Sequence, residues 1–337
     1  MKNTFFSSLP IIALLAGCGG EKSATNAPPV SAWPEKAISI SVQGPAGTAT
    51  DAFVRAVAKA MGTELGVNVA VENVGTPLDG MAAKKVSEAA HDGYQWVGVS
   101  ETMFTAPWRG VTESKLSDWN FFFIAEFPAV ISVTPAQRLT KIQTLIRESK
   151  KEDAELRVAA SAAGSIWHAK LNSLEKVTDT KFVFKQFGGA GPSQLATMAG
   201  QADAVISSLG DQAKLIKTKK LVPLAIIGGH SASLEGHGEI PAASDLYPAL
   251  ENDGLRKLAG FALPGDVPED AVNIIATALQ NALATPEVKA LAANHSAILL
   301  GTHGTPANQE AAKAAEVRAS LAEEIKKSTE VPDLEQQ

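Results

Sequence analysis

ISISVQGPAGTATDAFVRAVAKAM, residues 38–61, carries a strand, a tight turn and a helix in succession. Ile38, Ile40 and Val42 alternate with period two, as one face of a strand does. Phe53, Val54, Val57, Ala58 and Met61 recur as the apolar stripe of a helix. Between them Gly44 and Gly47 permit backbone shapes that a side chain forbids, and Thr48 or Thr50 suits the N-cap. The turn brings backbone N–H groups to the positive end of a helix dipole, which makes an anion site. Its candidate ligand-binding residues are Gln43, Gly44, Gly47, Thr48, Ala49, Thr50 and Asp51.

Outward from this stretch the pattern continues. VNVAVEN, Val67–Asn73, reads as a second strand and Leu78–Ala90 as a helix; His91-Asp92-Gly93 turns into a third strand, Tyr94–Ser100. Strand alternating with helix implies an α/β fold with a parallel sheet. Ser100 and Glu101 then sit at the same carboxyl edge as Gly44, where ligands collect in open α/β sheets. Two apolar runs, Phe121–Phe127 and Ala129–Thr134, are separated by Pro128, and are expected to continue this sheet and cross out of it.

A second unit repeats the logic: a helix from Ile142 to Lys150, a strand Leu156–Ala160, a loop Ser161–Ser165 and a helix from Ile166. Ser161, Gly164, Ser165, Ile166, Trp167 and His168 are its candidate contacts. A strand Phe182–Phe187, the turn Gly188-Gly189-Ala190-Gly191, a helix to Ala199 and a strand Ala204–Ser207 follow, which adds Gly188, Gly189, Ala190 and Ser207 to one cleft. Leu221–Ile227 is a further strand and Gly228–Gly238 an irregular stretch. Helical patterns cover Ala271–Leu283, Pro286–Asn294 and Ala307–Lys327, with a strand at Ala297–Leu300 between the last two.

The chain is 337 residues long with a formal net charge of -6, which argues against a nucleic-acid surface. Lys2 precedes an apolar run, Phe5–Ala16, too short to span a bilayer but fitting a signal peptide. It ends in Leu15-Ala16-Gly17-Cys18, which resembles a bacterial lipobox. Cys18 is the only cysteine, so no disulfide framework and no other thiol chemistry is available. Lipidation at Cys18 implies an exported, periplasmic lipoprotein tethered to a membrane. Residues 1–18 are read as the signal peptide and 19–34 as a flexible tether.

The ordered motifs resemble one family. WPEKAISISVQGPAGTATD, then VAVEN, HDGYQWVGVS, AASAAGSIWHAKL and FKQFGGAGPSQLATMAGQADAVISS are similar, from Trp33 to about Pro306, to the periplasmic solute-binding proteins of tripartite tricarboxylate transporters, the Bug receptors. The resemblance implies two α/β domains closing on a ligand cleft, like type II periplasmic binding proteins. They are expected at 35–134 plus 264–337 and at 135–263. It also implies carboxylates bound partly by backbone N–H groups of the first loop and of the Gly-Ser-x-x-His loop, permease partners in the membrane, and no cofactor. A monomer is expected.

The departures are specific. Ala46, Thr48 and Ala49 add side chains to a loop that usually holds more glycine, and VGTPLDG after Asn73 reshapes the rim. Ser207-Ser208 stands where many members carry Phe-Asp, which removes a partner for a ligand ammonium and disfavours an amino acid.

Other chemistries fit less well. GPAGTATD has neither a P-loop ending nor G-x-G-x-x-G spacing. Ser165 and His168 invite a hydrolase reading, without a G-x-S-x-G context or an orienting acid. A sensor delivering its ligand to a signalling partner is a third reading. Trp167 with Phe187 is either core or an aromatic cleft wall, and Arg109, beside Trp108, either pairs with a carboxylate or is solvated. His230, Glu235, His237 and Glu239 match no standard metal spacing. The charged run Lys214–Lys220 reads as an exposed helix end.

Overall fold

The computed structural model describes residues 33–44, 46–75, 80–100, 103–104, 114–251 and 253–329, with side chains through residue 320. In chain order the first elements are β1 (Ile38–Gln43), α1 (Ala49–Leu65), β2 (Val69–Val74), α2 (Met81–Ser87), β3 (Gln95–Val99) and β4 (Trp119–Glu126). There follow β5 (Ala129–Val133), α3 (Ile142–Ser149), β6 (Arg157–Ala160), α4 (Ile166–Thr178), β7 (Val183–Gln186), α5 (Ala190–Met198), β8 (Ala204–Ser208), α6 (Leu209–Lys217) and β9 (Val222–Ile226). The chain then forms β10 (Ala232–Leu234), β11 (Gly238–Ile240), β12 (Leu258–Pro264), α7 (Glu269–Ala284), α8 (Pro286–Asn294), β13 (Ile298–His303) and α9 (Gly304–Thr329).

Two sheets organise these elements. The first has the order β13-β4-β12-β3-β1-β2 and the second β7-β6-β8-β5-β9. The α/β class read from the alternation is therefore present, but neither sheet is purely parallel. β1 runs parallel to β2 and β3, whereas β12 enters antiparallel between β3 and β4. In the second sheet β5 is antiparallel to both β8 and β9.

The first sheet buries both faces. The alternating Ile38, Ile40 and Val42 pack under the stripe of α1, whose Phe53, Val54, Val57, Ala58 and Met61 are all buried, and α7 and α8 complete that layer. Trp96, Phe261 and Phe122 stack across β3, β12 and β4 at centroid spacings of 4.6 and 5.0 Å. On the other face α2 and α9 cover Val97, Phe121 and Phe123. In the second sheet α3 and α4 cover one face, and α6 with the β10–β11 hairpin covers the other.

The sheets correct the expected boundaries. β5 belongs to the second sheet and β12 to the first, so the chain crosses at 127–128 and again just before 258, not at 134 and 263. Each expected boundary lies one strand late, because an apolar run does not announce its partner. Trp33 and Pro34 are not tether: Trp33 packs on the first core and its Nε1 donates to the Asp92 carbonyl at 3.1 Å. The stretch read as irregular, Gly228–Gly238, holds β10 and ends where its hairpin partner β11 begins.

Candidate functional site

Register brings the predicted turns to two edges. Val42 of β1 pairs with Gly98 of β3, so the ends of both strands, Gln43–Gly44 and Ser100, lie side by side. β4 runs parallel to β3 through the intervening β12 and ends at this edge in Glu126. After Phe127 and Pro128, β5 begins opposite the end of β8, with Ala129 paired to Ser208. β6, β7 and β8 are mutually parallel, so the loops after all three share that second edge. The crossing thus joins the carboxyl edge of one sheet to that of the other, where ligands of open α/β sheets bind.

The turn before α1 is closed from within. Thr48, with extended backbone, is the N-cap, and its Oγ1 accepts the Asp51 N–H at 3.2 Å. Asp51, only 3% exposed, accepts the Gly47 N–H at 2.9 Å, Arg55 Nε at 3.1 Å and Asn73 Nδ2 at 3.0 Å. Arg55 also donates to Asn73 Oδ1 at 2.7 Å. Burial pulls the Asp51 pKa upward, but these hydrogen bonds and the Arg55 charge outweigh it and hold the carboxyl below its usual range. Asp51 therefore organises the loop and is not itself offered to a ligand. A first helical turn has no intrahelical partners for its N–H groups; with Asp51 N–H capped, those of Ala49 and Thr50 have no partner among the described residues. Gly47 has φ 85° and Gly44 φ 99°, the left-handed region that favours glycine.

The turn before α4 uses the same devices. Ser165 is the N-cap, its Oγ accepting the His168 N–H at 3.4 Å. Gly164, with φ 76°, donates its N–H to His168 Nδ1 at 3.1 Å. That bond makes Nδ1 an acceptor, so the ring is neutral and carries its proton on Nε2. The ring stacks on Phe184 at 3.9 Å, and burial pushes its pKa down. Ser165 Oγ and His168 Nδ1 are thus each engaged with backbone and not with one another, which is not a nucleophile–base dyad. Ile166 and Trp167 N–H groups are the donors left here.

The remaining candidates divide. Gly188, Gly189 and Ala190 open α5, with Gly189 as its N-cap and Ser193 Oγ donating to the Gly189 carbonyl at 2.7 Å. Ser161 lies half-buried at the start of the α4 turn. The side chains of two expected contacts are buried in the core. Trp167 is 5% exposed and belongs to the second core. Ser207 is 1% exposed, with its Oγ accepting from Gln212 Nε2 at 3.1 Å, while Ser208 caps α6 through the Asp211 N–H. Cys18, Glu101, Trp108 and Arg109, and most of the altered rim after Asn73, lie outside the described residues.

No group of three or more His, Cys, Asp or Glu among the described residues is placed to hold a metal. In the loop weighed for metal, Glu235 pairs with Lys217 and Glu239 accepts from Ser231 Oγ. No helix among the described residues is long and apolar enough to cross a membrane.

Sequence reading missed the charges at the second crossing. Lys170 of α4, 4% exposed, bonds both Asp253 oxygens at 3.0 Å, and Asp253 also accepts the Leu255 N–H at 3.0 Å. Burial lowers the Lys170 pKa against the opposing pull of Asp253. Arg256 joins Glu126 at 2.5 Å and Glu310 at 2.5 Å. Lys170 lies three residues after Trp167 on an apolar helix face, and a lone lysine there was the available signal.

Relatives share this architecture. A protein of Pseudomonas sp. (strain P51) is 24% identical over 271 residues, 79% of each chain. A TctC solute-binding protein from Polaromonas, solved without ligand, has a TM-score of 0.75 at 22% identity, over 88% of this chain and 99% of that one. An R. palustris protein solved with adipate has a TM-score of 0.63 at 19% identity, over 88% and 98%. At these identities the structures establish the shared fold, that of periplasmic solute-binding proteins. Residues 53–326, well over half of the sequence, match the tripartite tricarboxylate transporter family receptor, and the chain belongs to that family.

Proposed function

We propose that this receptor captures a small organic acid as its anion between the first turns of α1 and α4 and delivers it to the membrane subunits of a tripartite tricarboxylate-type transporter. The observation that carries the reading is the pair of side-chain-capped helix N-termini, each with two N–H donors left over, at joined carboxyl edges. The R. palustris relative solved with adipate favours a carboxylate over a neutral solute. Ser207 and Ser208 offer no charge to an ammonium, so a purely anionic ligand fits better than an amino acid. Export and a lipid anchor at Cys18 complete the reading.

A thermal-shift panel of mono-, di- and tricarboxylates tests it. A bound acid at 100 times its dissociation constant adds about 2.7 kcal/mol of stability. A panel in which no acid raises the melting temperature, while an ester is turned over, refutes the receptor reading. Separately, Cys18→Ala is expected to release the protein from membranes, and acylation persisting in that variant refutes the anchor.

A further inference from the structure

Two consecutive N–H groups of the turn before α4 are taken by side chains. Gly164 donates to His168 Nδ1 at 3.1 Å, and Ala163 donates to Gln186 Oε1 at 3.3 Å. Gln186 is the last residue of β7 and pairs in register with Ala160, the last residue of β6. Side chains two apart on a strand share a face, so Gln186 lies on the same side of the sheet as Phe184, whose ring stacks on His168. It therefore meets the α4 turn from the neighbouring strand, at the carboxyl edge.

The bond to Ala163 fixes what each end of the amide does. With Oε1 engaged by the backbone, the amide nitrogen and its two hydrogens face away from Ala163. Gln186 is exposed, and its Nε2 has no acceptor among the described residues. The chain leaves β7 close by: Phe187 donates its N–H to the Ala160 carbonyl at 3.0 Å, and after Gly188 and Gly189 it enters α5 at Ala190. An exposed NH2 group thus stands at the second edge, held to the α4 turn by its own carbonyl and followed directly by the turn into α5.

We propose that Gln186 is a specificity-determining residue on the α4 side of the cleft, bracing the turn through Oε1 and donating from Nε2 to the carboxylate held at the first turn of α4. This rests on the receptor reading above and adds to it a side chain that the helix N-termini do not supply. The acceptor is ionised, so the bond is charge-assisted, while the neutral donor leaves no unpaired charge when the site is empty. A ligand ammonium at the same place would meet hydrogen against hydrogen.

Calorimetric titration of the full-length chain with succinate, glutarate, adipate and citrate tests the assignment. Gln186→Glu keeps an acceptor for the Ala163 N–H and puts a charged oxygen where the NH2 was; Gln186→Met removes both groups. Both are expected to retain the wild-type melting temperature, since the side chain is exposed. The tightest-binding acid is expected to weaken by roughly tenfold in Gln186→Met and by about a hundredfold in Gln186→Glu, where anion meets anion. A bracing role alone gives the reverse order, with Gln186→Glu binding like wild type, and that result overturns the donor role. Gln186→Met binding within about twofold of a binding-competent wild type overturns it as well. If one variant melts early, the other decides. A wild-type chain that binds none of these acids overturns the receptor reading and this one together.

Discussion

Asp51 accepts the Gly47 N–H at 2.9 Å from the first turn of the helix that Gly47 leads into, so the loop before α1 is held shut by its own helix. Asn73, on β2, donates to the same carboxylate and fastens this loop to the sheet. Asp51→Ala is expected to lower stability by about 2 kcal/mol, because Arg55 and Asn73 lose a shared buried acceptor. The folded pKa is below 3.8, so this stabilisation is present above the unfolded value and disappears as pH falls through the lower folded one. Chemical denaturation of wild type, Asp51→Ala and Asp51→Asn between neutral and acid pH measures both effects; equal acid sensitivity in wild type and Asp51→Asn would contradict the role of Asp51.

Gly210, in the first turn of α6, leaves no room for a side chain: a Cβ there would lie 2.2 Å from the His295 carbonyl oxygen. Gly210→Ala should therefore push α6 from α8 and cost about 1–3 kcal/mol. Gly47→Ala meets open space and is limited to the cost of its positive φ, about 1–2 kcal/mol. Urea melts of both variants check this, with an unchanged midpoint for Gly210→Ala as the contrary result.

Lys170 and Asp253 illustrate what a buried ion pair does when halved. Lys170→Met leaves Asp253 with only neutral partners and is expected to destabilise by about 3–5 kcal/mol, whereas Lys170→Met combined with Asp253→Asn recovers part of that loss. A double-mutant cycle by denaturation gives the coupling; additive losses would show that the pair is not coupled.

His168 makes stability depend on pH in the mildly acid range. Burial holds its folded pKa below the ordinary 6.5, so the unfolded chain binds the proton more readily. The contribution is intact above pH 6.5 and is lost as pH falls from there toward the folded value. His168→Phe keeps a ring against Phe184 and cannot ionise. Its melting temperature is expected to fall less than that of wild type between neutral pH and pH 5; parallel curves would contradict the assignment.

Local features were legible in the sequence, and distant pairings were not. The stretch from Ile38 to Met61 displays strand period, glycine turn, cap and helix stripe within a few residues of one another, and all appear as read. The start of α4 directly after Ser165 was equally local. The insertion of β12 between β3 and β4 was hidden, because FALP carries the same apolar run whichever direction it pairs. Asp51 looked like a ligand contact because the partner that occupies it, Asn73, lies 22 residues away. Whether Trp167 was core or cleft wall, and that Ser207 is buried, could not be read locally, because burial is decided by elements packing over them, not by their neighbours in the chain.

Ala49 is where anion capture at the α1 N-terminus can be switched off with a single atom. It is the first helical residue of α1, and Thr48 before it has φ -70° and ψ 159°, which a following proline accepts. Ala49→Pro therefore removes one unpaired N–H donor while leaving the helix start intact. Calorimetric titration of the acid that wild type binds best should show a loss of about tenfold or more with an unchanged melting temperature. Wild-type affinity in Ala49→Pro would contradict the account that the α1 N-terminus holds the carboxylate.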